Sequence, residues 1–530
     1  MKKTILIFLI SFIQIFAQNE SQNQSIELPD FVITGLQDVS VPEMEKPKPD
    51  LIVSLSEDFF KPKYLPDQLK LTSYSNPLRK DYDIFGKENY NNALLKLGAG
   101  INTLPTGHFY FSQSLDPFLF NSHVWGSNVK NYIKNSGYNV SGGSASADFF
   151  IGSKSSFLPG LKITAAGLFS RDSYKFFASD LPSTKRENEA YKVLFSASNN
   201  LSESIKYGAS GSYDLLKFKD SDYKENLFSA NGYFNISLNS IGILWNGEYQ
   251  NHDPVNSLTS LNSAHYYSTN ASVLIKSYST FNLKLGVYYS QQDTTKLFSP
   301  VASFDMKLSN RLSIFAEYSP HTQFNKTSNL LYLNRYYLPV SRENITTKYN
   351  SEIKFAAKYE FYRYFEISAG ASLAGIDNQF YFTDNDIKGI YNIASVDDVT
   401  GFTVFLNAFF HNGPLGYLYG EIKYNSLKTE DDYQIPFNPI YSTQVTYGFN
   451  LTDYLNFSTS LQYFGDSYSD QKNSNKLPNM INLGVMGKLE MFNNFKITVE
   501  LENLLNRSNY IYSNYKEKPV DIIAGIEYRW

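Results

Sequence analysis

Apolar and polar side chains alternate residue by residue in many segments of this chain. The segment STFNLKLGVYYSQQ, residues 279–292, places five apolar or aromatic side chains on one face: Phe281, Leu283, Leu285, Val287 and Tyr289. The segment SEIKFAAKYEF, residues 351–361, places four charges on its second face: Glu352, Lys354, Lys358 and Glu360. A two-residue period predicts β-strands that separate two environments. Successive charges are costly in a sandwich core, whereas they suit a water-filled lumen.

The connections between these segments alternate in length. Short ones lie near 201–204, 239–240, 277–279, 309–311, 361–363, 412–414, 451–453 and 491–494. Longer and more polar ones lie between them, at 173–188, 252–262, 321–346, 375–397, 427–436, 465–477 and 506–518. Outer-membrane barrels have short periplasmic turns and longer extracellular loops. We therefore predict an all-β fold, a transmembrane antiparallel outer-membrane β-barrel of about 22 strands (range about 18–22) over residues 93–530.

The last segment, PVDIIAGIEYRW, alternates up to a final aromatic residue. One face carries Ile522, Ala524, Ile526, Tyr528 and Trp530. The alternatives are an edge strand of a soluble sandwich and the closing strand of a membrane barrel, and the connection pattern favours the barrel. Ile526, Tyr528 and Trp530 resemble the C-terminal signal that the barrel assembly machinery recognises. That machinery and outer-membrane lipid are therefore expected partners.

The first residues predict export. MKKTILIFLISFIQIFAQ has two lysines, an apolar run and Ala17, which is the pattern of a signal peptide over residues 1–17. No later segment reaches the roughly 18 consecutive apolar residues of a membrane helix. An exported chain without such helices can still span a membrane, but only as a closed barrel. The expected location is the cell outer membrane.

Residues 18–92 differ in composition from the rest. Residues 18–50 are polar and Pro-rich, which predicts a disordered tail, and residues 51–92 are expected to form a short linker or a miniature plug. Within the tail, the segment 28–34 is rich in strand formers and is bounded by proline and glycine: Leu28, Pro29, Asp30, Phe31, Val32, Ile33 and Thr34. Such a segment can add a strand to a periplasmic partner, or it can pair with the protein itself or remain a tail.

IELPDFVITG resembles the start of TonB-dependent receptors, in which a TonB-like periplasmic protein captures a short strand. NYNNALLKLGAGINTLPTGHFYFSQSL, with Lys96, Gly98 and Gly100, is similar to the barrel entrance of short receptor-like proteins of this group. LENLLNRSNY, residues 501–510, resembles their penultimate strand and loop. A full receptor carries a plug of well over a hundred residues, whereas about 57 residues separate Gly35 from the first strand here. The gated import of that family is therefore not carried over.

Composition excludes several classes of function. The 47 basic and 51 acidic residues form no basic stripe, so nucleic acid is not an expected partner. The absence of cysteine excludes thiolate metal sites and a cysteine nucleophile. None of the six histidines has zinc-site spacing, and we predict no catalytic residue, metal site or cofactor, and no enzyme. The 42 tyrosines and 41 phenylalanines predict aromatic girdles, with a sugar-stacking lumen as the alternative.

Two functions follow from these features. The first is outer-membrane transport or ligand reception, with energy coupling through residues 28–34 and an unidentified small-molecule or glycan ligand. The second is a scaffold that transports nothing and anchors a periplasmic or surface partner. A lumen blocked by the barrel's own loops favours the scaffold, whereas an open and selective lumen favours transport.

Overall fold

The computed structural model describes residues 92–530 except 153–157, 201, 203, 256–262, 278–280, 294, 340–345, 362–363, 412–415, 453 and 493. The predicted signal peptide, the tail with residues 28–34 and nearly all of the segment 51–92 lie outside the described residues.

One antiparallel sheet forms the wall. In chain order its segments are β1 (Ala93–Gly100), β2 (Thr103–Leu115), β3 (Phe118–Val129), β4 (Tyr138–Phe150), β5 (Leu161–Lys175), β6 (Lys185–Asn199), β7 (Ile205–Phe218), β8 (Lys224–Leu238), β9 (Ile241–Val255), β10 (Ala264–Ser277), β11 (Phe281–Gln292), β12 (Thr295–Lys307), β13 (Leu312–Tyr318), β14 (His321–Phe324), β15 (Thr346–Phe361), β16 (Phe365–Asp377), β19 (Val399–His411), β20 (Tyr417–Lys428), β21 (Tyr441–Thr452), β22 (Leu455–Gly465), β23 (Met480–Phe492), β24 (Phe495–Glu502) and β27 (Asp521–Arg529). Both β13 and β14 pair with β15, so they form one interrupted strand and the wall has 22 strands. The predicted strand count is confirmed.

The sheet closes on itself. β27 pairs with β1 in antiparallel register, from Leu94 opposite Arg529 to Gly100 opposite Ile523. The backbone N–H of Ala93 donates to the carbonyl of Trp530 at 2.9 Å, and the reciprocal bond measures 3.1 Å. The last strand is therefore the closing strand of a barrel, as predicted, and closure leaves no free sheet edge.

The two faces of the wall differ as the alternation predicts. Apolar side chains cover the outside, where Phe195 is 62% exposed and Phe298 71%. Aromatic residues of the outer face form two belts. One, near the long connections, contains Tyr191, Tyr213, Phe228, Tyr249, Tyr267 and Phe298; the other, near the short turns, contains Phe361, Tyr364, Phe410, Tyr454, Phe492 and Trp530. These are the girdles that mark the two interfaces of a membrane.

Most short turns lie at the end of the barrel where Ala93 and Trp530 meet, and most long connections lie at the other end, which is the extracellular one. The alternation is not strict, because the extracellular connection 101–102 is short and the periplasmic connection 151–160 is long. The long connections contain elements that the sequence did not predict: helix α1 (Thr327–Leu333), the hairpin β17 (Gln379–Asp384) with β18 (Tyr391–Val396), and the hairpin β25 (Tyr510–Tyr512) with β26 (Tyr515–Lys516). The connection expected to begin at residue 321 begins after Phe324, because β14 continues the wall. Within the described part of the chain, no helix is long and apolar enough to cross a membrane.

Candidate functional site

Charged side chains line the inside of the barrel, where they pair with one another. On β15, Lys354 Nζ lies 3.0 Å from Glu352 Oε2. Further down the strand, Lys358 Nζ lies 2.8 Å from Glu360 and 3.1 Å from Glu366 on the neighbouring β16. The prediction that this face borders a polar lumen is confirmed, because the opposite face of β15 carries exposed apolar residues.

Five extracellular connections converge above this lumen in a cluster of aromatic side chains, which we call the mouth cluster. The described parts of these connections are 176–184, 325–339, 378–398, 429–440 and 503–520. Its buried members are Leu330, Tyr337, Phe382, Tyr391 and Tyr515, and those packed against them include Phe177, Leu331, Tyr336, Phe380, Phe437 and Tyr512. The rings of Tyr336 and Tyr515 stack with centroids 3.5 Å apart. The connections therefore share one small hydrophobic core.

Helix α1 enters the mouth cluster from β14 and is held at its start by the wall. The buried Glu225 carboxylate, on β8, accepts hydrogen bonds from the backbone N–H and the hydroxyl of Thr327. It also accepts one from the Tyr223 hydroxyl at 2.6 Å, and His252 Nε2 lies 3.3 Å away. The preceding residue, Lys326, supplies no side-chain cap. Glu225 thus satisfies an N-terminal N–H group of α1 that would otherwise lack a partner.

Arg186 fixes the segment that follows α1 to the wall on β6. Its guanidinium donates to the carbonyl of Tyr337 at 3.0 Å and lies 3.2 Å from Asp220 Oδ2. The same group lies over the rings of Phe218 and Phe176, with centroid distances of 4.5 and 4.9 Å. A buried arginine with a carboxylate, a carbonyl and two aromatic faces is well compensated for its loss of water.

Arg335, in the same connection, reaches β4 and β5. Its guanidinium lies 4.5 Å from the ring centroid of Tyr138 and 5.4 Å from that of Tyr174. It also lies 3.7 Å from Asp172. Strand β5 is far from β14 in the strand order, so the connection after β14 crosses the lumen to the other side of the wall. This connection therefore forms a bridge across the mouth of the barrel.

Tyrosine hydroxyls tie the two hairpins to this bridge. Tyr512 donates to the carbonyl of Leu333, and Tyr515 donates to the carbonyl of Gly389 at 2.6 Å. Burial raises the pKa of both phenols above the ordinary value, so they stay protonated and act as donors. On the accessible side, Tyr332 and Leu333 of α1 and Ile511 of β25 are exposed. The mouth can therefore offer aromatic and apolar contacts to a small ligand.

The structure places the predicted C-terminal residues on the outside of the barrel. Ile526 and Tyr528 lie on the outer face of β27, and Trp530 follows it. The rings of Tyr528 and Trp530 stack at 5.4 Å, and Phe109 lies 6.0 Å from Trp530. The predicted partner-docking residues, Leu28 to Thr34, lie outside the described residues.

Two histidines of the neighbouring strands β2 and β3 meet on the inner wall. His108 Nδ1 lies 3.2 Å from His123 Nε2, and Tyr110 stacks on His123 at 4.0 Å. Trp125 completes the row, 4.8 Å from His123. The sequence did not reveal this group because it depends on the register of β2 against β3. In the part of the chain that the structure describes, no three potential metal ligands are grouped to hold an ion.

Solved receptor structures share this barrel. A variant of the ferric enterobactin receptor PfeA from Pseudomonas aeruginosa has a TM-score of 0.65 and 11% identity, covering 83% of this chain and 80% of that chain. The siderophore receptor PiuA from Acinetobacter baumannii has a TM-score of 0.62 and 10% identity, covering 83% and 81%. The ferric-catecholate import receptor Fiu from E. coli, in its closed form, has a TM-score of 0.62 and 10% identity, covering 84% and 82%.

This chain is an outer-membrane β-barrel. Its apolar outer face and its aromatic girdles are those of a membrane barrel, and its closed sheet of 22 strands matches the barrels of those structures. The barrel expected from the resemblance to TonB-dependent receptors is confirmed. No protein-family model matches the chain, and no curated protein matches it in sequence.

Proposed function

We propose that this barrel is an outer-membrane receptor and transporter for a small organic ligand, which it binds at the mouth cluster. The observation that carries the proposal is the convergence of five extracellular connections into one aromatic cluster above a polar lumen. The receptors that share the barrel are described as receptors for ferric enterobactin, for siderophores and for ferric-catecholate complexes. A barrel with a ligand-binding mouth is the arrangement that such uptake requires.

The chemistry of the mouth favours a ligand that carries aromatic rings. Tyr332 is 58% exposed next to a cluster built from tyrosine and phenylalanine. Stacking between aromatic rings contributes about 0.5–1.5 kcal/mol beyond the buried area. A catecholate siderophore offers several flat rings at once. We therefore assign the ligand to the siderophore class and propose ferric enterobactin as the first probe.

Energy coupling is a further part of the proposal. Leu28 to Thr34 would add a strand to a TonB-like periplasmic protein, because this segment is rich in strand formers between Pro29 and Gly35. Residues 51–92 would occupy the lumen as a miniature plug, since a barrel of this size otherwise leaves an aqueous channel. Removal of residues 28–34 is expected to abolish uptake and to leave binding at the mouth unchanged.

Equilibrium binding of radio-iron-labelled ferric enterobactin to the full-length protein in nanodiscs tests the assignment. We expect saturable binding that Tyr332→Ala weakens about 5–10-fold, which corresponds to one aromatic contact. The matched control is Leu158→Ala, which removes an exposed apolar side chain at the periplasmic end. An absence of saturable binding in the unaltered protein, or an equal loss in both variants, contradicts the siderophore assignment.

A scaffold function is the second candidate, and the mouth cluster favours it, because five connections pack against one another there and Arg186 holds one of them to the wall. Single-channel conductance in planar bilayers separates the two functions. Steady conductance only after deletion of residues 18–92 supports a gated transporter with a miniature plug. An absence of conductance with and without that segment means that the loops block the lumen, and it supports a scaffold.

A further inference from the structure

Basic side chains gather on the outer face of β5 to β8, at the extracellular ends of these strands. Cross-strand partners share a face of the sheet. Phe195, on β6, faces outward, and the alternate residues up the strand, including Glu189, Glu187 and Lys185, therefore face outward with it. The register extends this face to the neighbouring strands. Its cations are Arg171, Lys175, Lys185, Lys217, Lys219 and Lys224, which we call the basic patch.

Positive charge exceeds negative charge in the basic patch. The six cations face two carboxylates of the wall, Glu187 and Glu189, and the turn after β7 that carries Lys219 adds Asp220 and Asp222. Cations therefore outnumber carboxylates six to four, although the whole chain has a net charge of −4. Glu187 lies between three of the cations, 2.8 Å from Arg171, 3.0 Å from Lys219 and 3.4 Å from Lys185. The next outward carboxylate along the wall is Asp253 on β9. The patch therefore keeps an excess of cations after its internal pairing.

Two pairs of lysines stand directly opposite each other in register. Lys175 on β5 is the partner of Lys185 on β6, and Lys217 on β7 is the partner of Lys224 on β8. Like charges at directly opposed positions destabilise a sheet. The repulsion within each lysine pair is relieved when a bound anion lies against that pair.

The patch lies at the level of a membrane interface. Toward the membrane on the same face come the belt residues Tyr191 on β6, directly after Glu189, and Tyr213 on β7 with Phe228 on β8, one outward position below Leu215 and Asn226. Lys217 Nζ lies over the Tyr191 ring, 5.9 Å from its centroid. Side chains just above such a belt meet lipid headgroups and not acyl chains. Arg171 and Lys185 are 43% and 57% exposed toward that layer.

We propose that the basic patch binds the phosphorylated headgroup of a glycolipid of the outer leaflet, such as lipid A. Arginine offers a planar pair of donors to a phosphate, and lysines on flexible stems add point charges around it. Each phosphate of a diphosphorylated headgroup would neutralise one lysine pair, because Lys217 lies opposite Glu189, four residues along β6 from Lys185. This inference does not depend on the ligand at the mouth.

Lipid A binding to the full-length protein in nanodiscs tests the patch. Binding is measured by native mass spectrometry of lipid-exchanged nanodiscs, with lipid A, enzymatically dephosphorylated lipid A and inorganic phosphate as separate probes. The variant is Lys175→Gln with Lys224→Gln, which breaks both like-charge pairs and leaves the cations around Glu187 in place. We expect roughly 30-fold weaker binding of lipid A to this variant.

The control variant is Lys472→Gln with Lys476→Gln, which makes the same change in charge on an extracellular connection and is expected to bind lipid A normally. Without lipid A, the patch variant should melt at the same or a higher temperature, because repulsion has been removed. Equal affinity for dephosphorylated lipid A, displacement of lipid A by millimolar inorganic phosphate, unchanged binding in the patch variant, or a lower melting temperature of that variant would each overturn the proposal.

Discussion

Glu225 is the anchor on which the closed mouth depends most directly. Replacement by alanine removes the acceptor for Thr327 at the start of α1, for the Tyr223 hydroxyl and for His252. Glu225 and its three partner residues are all buried. The strand pairing of β8 with β7 and β9 uses backbone groups and is not altered by the substitution. The loss is therefore expected to fall on the mouth and not on the barrel.

The magnitude follows from the charge and the burial of the carboxylate. A hydrogen bond to a charged group contributes about 1.5–3 kcal/mol, and buried donors that lose their acceptor add to the cost. A loss of about 3 kcal/mol for the docking of α1 is a conservative figure. It corresponds to roughly a hundredfold rise in the open fraction of the connection after β14.

Hydrogen exchange followed by mass spectrometry measures this opening. Amides of residues 327–339 should exchange roughly a hundredfold faster in Glu225→Ala, whereas peptides from β8 and β9 keep their protection. The control is Glu430→Ala, which removes an exposed carboxylate from another extracellular connection. Unchanged exchange of residues 327–339 in a correctly folded Glu225→Ala barrel would falsify the view that Glu225 holds the mouth closed.

Three further outcomes are expected. Asp521→Ala removes a fully buried carboxylate that accepts hydrogen bonds from Lys518, Asn102 and Thr103. The free energy of unfolding should fall by about 3 kcal/mol, so the barrel should unfold on heated gels at a clearly lower temperature. Partial burial opposes ionisation of Asp470, but the backbone N–H groups of Ser474 and Asn475 donate to its carboxylate and lower its pKa. The connection 466–479 should therefore be fully protected from proteolysis above about pH 4, and this protection should be lost as the pH falls through the lowered pKa. In the Asp470→Asn variant, this connection should be less protected from proteolysis already at neutral pH. Trp530→Ala should reduce the yield of membrane-inserted barrel, whereas Phe492→Ala, at another exposed aromatic residue of the same end, should not.

The wall could be predicted from the sequence because each strand carries its own pattern. The alternation in 351–361 identifies both faces of β15 without knowledge of its neighbours. Alternating short and long connections then fix which end is extracellular. These signals are local, and the strand count and the closing role of the last strand followed from them.

The mouth could not be predicted in this way, because its elements are stabilised by distant residues. Helix α1 has seven residues and no side-chain cap of its own, and its anchor Glu225 lies 102 positions before Thr327. The β25 hairpin spans only a few residues and is held through Tyr512 and Tyr515. The contact between His108 and His123 likewise requires the register of two strands. Contacts between distant residues produce no repeating pattern of residue types in the sequence.

The seam between β1 and β27 has a consequence for the order of assembly. Ala93 receives its partner only when Trp530 arrives, so the first wall strand keeps an unpaired edge while all the others are being laid down. An unpaired edge is a template for aggregation or for capture by another strand. A chaperone that covers the edge of β1 until β27 and Trp530 are in place would therefore protect the whole molecule.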